Sequence, residues 1–185
     1  MDRVRLEGYA FLAGFIACVP AANWLIGHVG TVCVPQGPCL IPVAPGGITA
    51  PSGVLMIGLA LVLRDMVQRR LGKLWTLGAI AIGAALSGLV APPALVAASM
   101  VAFMLSELAD FAVYTPLQKR GLVLAVVASS LVGLCVDSVL FLYLAFGSLD
   151  YLAGQIIGKA WMVLLSVPLI RLLRDRDERR GIQPA

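Results

Sequence analysis

The Lys and Arg residues of this chain are confined to short stretches that separate long apolar segments. Of the 14 Lys and Arg residues, all except Lys159 lie in or beside those stretches. Hydrophobic residues make up 60% of the chain, charged residues make up 13%, and the mean hydropathy is +0.95. A water-soluble domain of this size would need a more polar surface. The sequence therefore predicts a polytopic membrane protein.

A helix needs about 20 mostly apolar residues to cross a bilayer. Six segments come near this length, and their continuous apolar runs favour helices over the alternating strands of a β-barrel. The predicted fold class is all-α, with one domain of six transmembrane helices. Its parts are helices at about 8–26, 50–67, 74–90, 92–114, 122–146 and 150–172, an external connection at 28–52 and a basic cytoplasmic tail at 173–185.

The charge distribution also predicts an orientation. Basic residues precede the first segment, follow the sixth, and occupy the second-to-third and fourth-to-fifth connections, whereas the other connections have none. The positive-inside rule then places both termini in the cytoplasm. The first segment resembles a signal peptide, but five further spans indicate a retained anchor. We expect a multi-pass protein of a bacterial plasma membrane, in contact with lipids and not with nucleic acid.

The first external connection, 28–52, is rich in Pro and Gly and yet apolar. Pro and Gly disfavour a regular helix, while the uncharged run from Leu40 to Ala44 resists exposure to water. Two interpretations remain open: a lid packed over the outer mouth of the bundle, or a plain surface loop. Cys33 and Cys39 lie in this connection, either as a disulfide or as two free thiols.

Polar side chains inside the apolar segments are costly and mark functional sites. Counting residues from the helix ends predicts an outer-to-middle layer and an inner layer. The outer layer contains Asn23, Asp137, Gln155 and Lys159, and the inner layer contains Arg64, Asp65, Glu107 and Asp110.

Helical spacing places several of these residues on inward-facing stripes. The clearest is Phe103, Glu107, Asp110 and Tyr114. Either these groups form structural ion pairs, with Lys159 bound to Asp137 or Glu107, or they line a solute pocket. The number of carboxylates favours the pocket.

Small residues also recur at helical spacing, as Gly154 and Gly158 in the last segment and as Ala10, Ala13, Ala17 and Ala21 in the first. They permit close helix packing, within the protomer or with a partner.

The sequence shows no nucleophile and base pair, no metal-ligand pattern, and no phosphate-binding loop. We therefore expect a protein that is not an enzyme and needs no cofactor. Transport would be passive, ion-coupled, or powered by another subunit.

The chain resembles the VUT family of putative vitamin uptake or queuosine precursor transporters. The most specific match is the block Ser106 to Leu117 (SELADFAVYTPL). Further matches are 22–25, 58–65, 68–72, 129–133, 136–138, 141–142, 145–146, 154–155 and 158–159. The resemblance implies a six-helix membrane protein similar to the substrate-binding subunits of energy-coupling-factor transporters, and uptake of 7-deazaguanine precursors of queuosine. The Pro-rich connection is longer than expected for this family.

The chemistry of such a ligand suits the polar residues. A deazaguanine presents an N1–H and an amine that one carboxylate accepts together, a carbonyl that needs a donor, and a flat face that an aromatic ring covers. The predicted substrate-binding residues are Asn23, Trp24, Phe103, Glu107, Asp137, Phe141, Gln155 and Lys159. Those predicted for gating or coupling are Arg64, Asp65 and Asp110.

Three functional hypotheses follow. The first is a transporter of 7-cyano- or 7-aminomethyl-7-deazaguanine that works alone, with proton coupling through a carboxylate as one mode. The second is the substrate-binding subunit of an ATP-driven vitamin or nucleobase transporter. The third is a membrane assembly protein without transport activity. The expected partner is a second copy of the chain, in a homodimer, or an energising subunit.

Overall fold

The computed structural model describes residues 3–35, 37–91 and 93–183. Helices dominate this part of the chain. They are α1 (Arg3–His28), α2 (Val54–Leu71), α3 (Lys73–Val90), α4 (Val96–Leu117), α5 (Leu122–Phe146) and α6 (Leu152–Arg180), with a short 3₁₀ helix at Pro93–Leu95 before α4. Helices suit a membrane because every backbone hydrogen bond is made within the segment.

Five of the described helices, α1 and α3 to α6, are long and apolar enough to cross a membrane. The remaining predicted span, α2, is not among these five, so the prediction of six spans is not confirmed. This helix contains Arg64, Asp65, Arg69 and Arg70, all buried. It can hold these charges because it packs against α1, α3, α5 and α6, so protein surrounds most of it.

The helix bounds differ from the predicted ones mainly at the ends. α1 begins at Arg3 and ends at His28, and α2 runs from Val54 to Leu71 rather than from 50 to 67. α6 continues to Arg180, so most of the predicted tail is helical. Polar residues continue these helices because ion pairs at the helix ends replace the apolar contacts on which the prediction relied.

The connection predicted at 28–52 contains a three-stranded antiparallel sheet, which the all-α prediction did not include. Its strands, in spatial order, are β1 (Val32–Cys33), β2 (Cys39–Ala44) and β3 (Ile48–Pro51). Gly46 and Gly47 turn the chain between β2 and β3 with φ of 85° and 79°, a conformation that favours glycine. Pro42 is accommodated in β2 beside a register shift.

The sheet covers one end of the bundle, which we call the sheet end. The Trp161 ring N–H on α6 donates to the Val43 carbonyl over 2.8 Å, and the Ser52 hydroxyl donates to the Leu25 carbonyl of α1 over 2.8 Å. Cys33 and Cys39 are joined by a disulfide. This packing matches the lid interpretation of the connection more closely than a plain surface loop.

Glycines allow α6 to pack closely against its neighbours. A Cβ at Gly154 would collide with the Thr49 carbonyl, and one at Gly158 would lie 2.6 Å from Val54. Gly58 on α2 faces the backbone of Lys159. The small residues of α6 therefore serve internal packing, whereas Ala10, Ala13 and Ala17 of α1 are exposed.

Candidate functional site

Four polar side chains of α5 and α6 form a buried group that we call the lysine cluster: Asp137, Ser138, Gln155 and Lys159. The Lys159 ammonium donates to Asp137 Oδ2 over 2.6 Å, to Gln155 Oε1 over 2.6 Å and to Ser138 Oγ over 2.8 Å. Lys159 is 1% exposed. All three donors of the ammonium thus have partners, and its charge is matched by one carboxylate.

A cavity of about 100 Å³ lies between this cluster and the sheet end. Its volume exceeds the roughly 10–15 Å³ that one water molecule requires. The polar part of its lining comes from five helices: Asn23, Ser87, Ser99, Asp137, Gln155 and Lys159. Its apolar part includes two aromatic rings, Phe103 on α4 and Phe141 on α5.

Several cavity-lining atoms retain unused hydrogen-bonding capacity. Lys159 occupies Asp137 Oδ2 and leaves Oδ1 to accept. Lys159 also occupies the side-chain carbonyl oxygen of Gln155, which leaves the amide nitrogen of Gln155 as a donor. Asn23 donates to the Val19 carbonyl over 3.0 Å and keeps its own oxygen as an acceptor. The cavity therefore offers a carboxylate, an amide donor and aromatic faces to one small solute.

A second buried group, the arginine cluster, consists of Arg64, Asp65, Glu107 and Asp110. The Arg64 guanidinium contacts Asp65 Oδ1 at 2.9 Å, Glu107 Oε2 at 3.3 Å and an oxygen of Asp110. All four side chains are buried, with at most 2% exposed. They come from α2 and α4 and meet where α5 packs against both helices.

Neutral side chains extend the arginine cluster. The Ser129 hydroxyl on α5 donates to Asp65 Oδ2 over 2.9 Å, and the Gln68 amide accepts from Arg64 over 3.3 Å. The same amide donates to Thr115 over 3.0 Å. Arg64 also lies 5.8 Å from the centre of the Tyr114 ring, within the range of a cation–π contact.

Six of the eight residues predicted to bind substrate line the cavity: Asn23, Phe103, Asp137, Phe141, Gln155 and Lys159. Trp24 does not. Its side chain is 57% exposed and stacks on His28 with ring centres 5.0 Å apart. The added turn of α1 beyond Trp24 supplies this partner and carries the ring away from the cavity.

Glu107 also does not line the cavity, although the sequence grouped it with the substrate-binding residues. On α4 the cavity ends at Phe103, and Glu107 lies one turn, about 6 Å, farther along the helix. There it pairs with Arg64. Glu107 thus joins the residues predicted for gating or coupling, Arg64, Asp65 and Asp110, which the structure brings together.

A third set of ion pairs joins three helices at the other end of the bundle, which we call the basic end. Asp177 of α6 accepts from Arg69 over 2.8 Å and from Arg70 over 2.8 and 2.9 Å. Glu7 of α1 pairs with Arg70 at 3.2 Å and with Arg176 at 2.6 Å. These contacts close the basic end around α2.

Sequence reasoning missed several of these residues. Ser138 and Ser129 lie in stretches that resemble the family, but they were not predicted as site residues because serine is common in membrane helices; the position of Ser138 directly after Asp137 was the available signal. Asp177 was assigned to the tail. Its acidic character within a basic stretch was the available signal of an ion pair.

Comparison with protein families finds a match in the second half of the chain. A family model described as a putative vitamin uptake transporter matches residues 87–173. The match spans α4, α5 and most of α6, which carry Phe103, Glu107, Asp110, Asp137 and Lys159. No curated protein and no solved structure matches the chain. The match supports the resemblance identified from the sequence: over residues 87–173, this multi-pass membrane protein is similar to the putative vitamin uptake transporters.

Proposed function

We propose that this protein takes up a 7-deazaguanine precursor of queuosine, 7-cyano- or 7-aminomethyl-7-deazaguanine, and that the cavity at the sheet end binds it. The observation that carries the proposal is the composition of the cavity wall. A carboxyl group, an amide side chain and two aromatic rings line the same small space. That set complements a flat solute with two adjacent N–H donors and a nearby carbonyl.

In this proposal, Asp137 binds the edge of the base that carries the N1–H and the 2-amino group. A carboxylate accepts two parallel N–H bonds, and the N1–H and the 2-amino group of a deazaguanine provide them. Oδ1 of Asp137 has no hydrogen bond to the described chain, and Oδ2 has one, from Lys159. The Gln155 amide nitrogen then donates to the ligand carbonyl, and Phe103 and Phe141 cover the ring.

Lys159 positions Asp137 for ligand binding. The ammonium, 2.6 Å from Asp137 Oδ2, fixes the orientation of this carboxyl group, so that its other oxygen faces the ligand as an acceptor in this proposal. The Ser138 and Gln155 contacts hold the ammonium in place. Lys159 is therefore a positioning residue as well as part of the cavity wall.

The arginine cluster gates the pathway in this proposal. It lies farther along α4 than the cavity, and it ties α4 to α2 through Arg64. A solute that leaves the cavity toward the basic end must pass helices held by these pairs. Arg64, Asp65 and Asp110 thus keep their predicted gating or coupling role, and Glu107 is added to them.

Binding to the purified protein tests the proposal. Calorimetry with 7-aminomethyl-7-deazaguanine and with an analogue that lacks the 2-amino group should show weaker binding of the analogue by about 1–3 kcal/mol, because an acceptor at Asp137 loses its partner. Asp137→Asn should remove this difference. Asp175→Asn, an exposed carboxylate on α6, is the matched control. Equal affinity of the wild type for both compounds would refute the assignment of Asp137.

One observation favours a second candidate, a substrate-binding subunit that docks an energising partner. Ala10, Ala13 and Ala17 of α1 form an exposed small-residue face that no described helix covers. Such faces permit close approach of another helix. Uptake by the purified protein in liposomes without ATP would exclude the need for such a partner, and uptake that requires added membrane extract and ATP would support it.

A further inference from the structure

The arginine cluster has an imbalance of charge that the lysine cluster lacks. Three carboxyl groups, Asp65, Glu107 and Asp110, surround one guanidinium, and none of the four side chains is more than 2% exposed. Within the described chain, Arg64 is the one cation at ion-pair distance from them. In the lysine cluster, one ammonium meets one carboxylate.

Full ionisation would leave this buried group with a net charge of −2, from three carboxylates and one guanidinium. An uncompensated charge is strongly disfavoured in a buried, water-poor site. Carboxylates that share a site with too few cations relieve the repulsion by retaining a proton. The geometry alone therefore calls for a neutralising species on Asp65, Glu107 or Asp110.

The surroundings favour a proton over a metal ion. No set of three or more His, Cys, Asp or Glu side chains in the described residues is arranged to hold a metal. Beside the cluster, the hydroxyl group of Tyr114 is buried without a hydrogen-bond partner, and so is Oδ2 of Asp110, whereas Oδ1 of Asp110 contacts Arg64. A protonated carboxyl group in the cluster supplies a hydrogen that an unpaired buried acceptor can accept.

Other titratable groups around the cluster do not restore the balance. α1 contributes the buried Cys18, which carries no positive charge, and α3 carries no titratable side chain beyond its first residue. Arg69 of α2 is engaged with Asp177 of α6. Asp137 and Lys159 of α5 and α6 neutralise one another.

The cluster is also close enough to the cavity to be coupled to it. Glu107 follows the cavity-lining Phe103 by one helical turn. On α5, Gly133 lies one turn from Asp137, and a Cβ at this glycine would be 3.0 Å from the Cβ of Asp110. α4 and α5 therefore connect the cavity to the cluster without an intervening layer.

We propose that the arginine cluster holds a proton shared among Asp65, Glu107 and Asp110, and that its binding and release on the two sides of the membrane drive solute uptake. The coupling rests on the transport function proposed above. In the protonated state one carboxyl is neutral, the guanidinium pairs with the remaining two carboxylates, and the net charge of the cluster is −1 instead of −2. Release of the proton to water restores a carboxylate, which draws Arg64 and tightens α2 against α4.

Infrared spectroscopy of the purified protein tests the proton itself, without any ligand. The wild type at neutral pH should show a protonated-carboxyl band that Asp110→Asn or Glu107→Gln removes or shifts and that Asp175→Asn leaves unchanged. Two cluster variants are used so that a folding defect in one does not decide the result. A wild-type spectrum without the band would overturn the proposal.

Liposomes containing the full chain test the coupling. With one proton per solute, an inside-alkaline gradient of one pH unit should drive about tenfold accumulation of 7-aminomethyl-7-deazaguanine, with acidification of the lumen. A Na⁺ gradient should drive none. Asp110→Asn should bind the ligand normally and exchange it across the membrane without accumulating it.

The outcomes separate the two proposals. If the wild type neither binds nor moves any deazaguanine, the proposed function fails and the coupling claim fails with it, while the infrared band still decides whether the cluster holds a proton. If the wild type binds and transports, but accumulation follows Na⁺ or persists in Asp110→Asn, only the proton-coupling proposal is overturned.

Discussion

Replacing Lys159 by methionine should destabilise the protein mainly by leaving Asp137 as an unpaired buried charge. Removing one partner of a buried ion pair costs about 3–5 kcal/mol. Because the Asp137 side chain is 11% exposed and faces the cavity, water replaces part of the lost interaction. We therefore expect Lys159→Met to lower the free energy of unfolding by about 3 kcal/mol, at the lower end of that range.

The double variant Asp137→Asn/Lys159→Met isolates the pair. Removing both charges leaves no unpaired ion, so the double variant should lose only about 1 kcal/mol, less than Lys159→Met alone. Unfolding in mixed detergent micelles, followed by tryptophan fluorescence, compares Lys159→Met, Asp137→Asn and the double variant with the exposed control Lys119→Met. If the decrease in the free energy of unfolding of the double variant equals the sum of the two single decreases within about 0.5 kcal/mol, the two side chains do not interact.

Three further predictions concern packing, the sheet and the orientation. Gly58→Ala should destabilise the protein by about 1–3 kcal/mol, because its Cβ would lie 2.5 Å from the Lys159 carbonyl oxygen. Gly27→Ala should not destabilise it, because a Cβ there would have nothing within 4 Å. Equal effects of the two variants would contradict the close α2–α6 packing. Replacing Cys33 and Cys39 by serine should cost about 2 kcal/mol through lost loop constraint, and an unchanged melting temperature would contradict the bridge. A cysteine at Lys119 should resist membrane-impermeant reagents in intact cells, whereas one in the β2–β3 turn should react, and the opposite result would reverse the predicted orientation.

Helical periodicity allowed the prediction of which residues face inward on a single helix. On α4, Phe103, Glu107, Asp110 and Tyr114 are buried, while Met104, Leu105 and Leu108 between them are exposed. α5 occupies the same residues as the predicted segment, since Gly121 and Gly147 interrupt the apolar run at its two ends. Inward-facing positions and helix ends depend on local sequence, so one sequence is enough to predict them.

Interactions between helices could not be predicted in the same way. Depth counting separated the two polar layers and placed Glu107 with Arg64 in the inner one. It did not predict the ion pair between them, because the rotation of α2 depends on close contacts such as that of Gly58 with α6. The strands were missed because Pro42 argues against a strand, and the structure accommodates it beside an irregular register.

Uptake by the purified protein alone tests the central claim most directly. Liposomes that contain only this chain, without ATP and with an inside-alkaline pH gradient, should accumulate radiolabelled 7-aminomethyl-7-deazaguanine. Asp137→Asn liposomes with the same amount of folded protein should accumulate much less, and Asp175→Asn liposomes should match the wild type. Wild-type liposomes that take up no more solute than protein-free liposomes, although the protein is folded and inserted, would contradict the account.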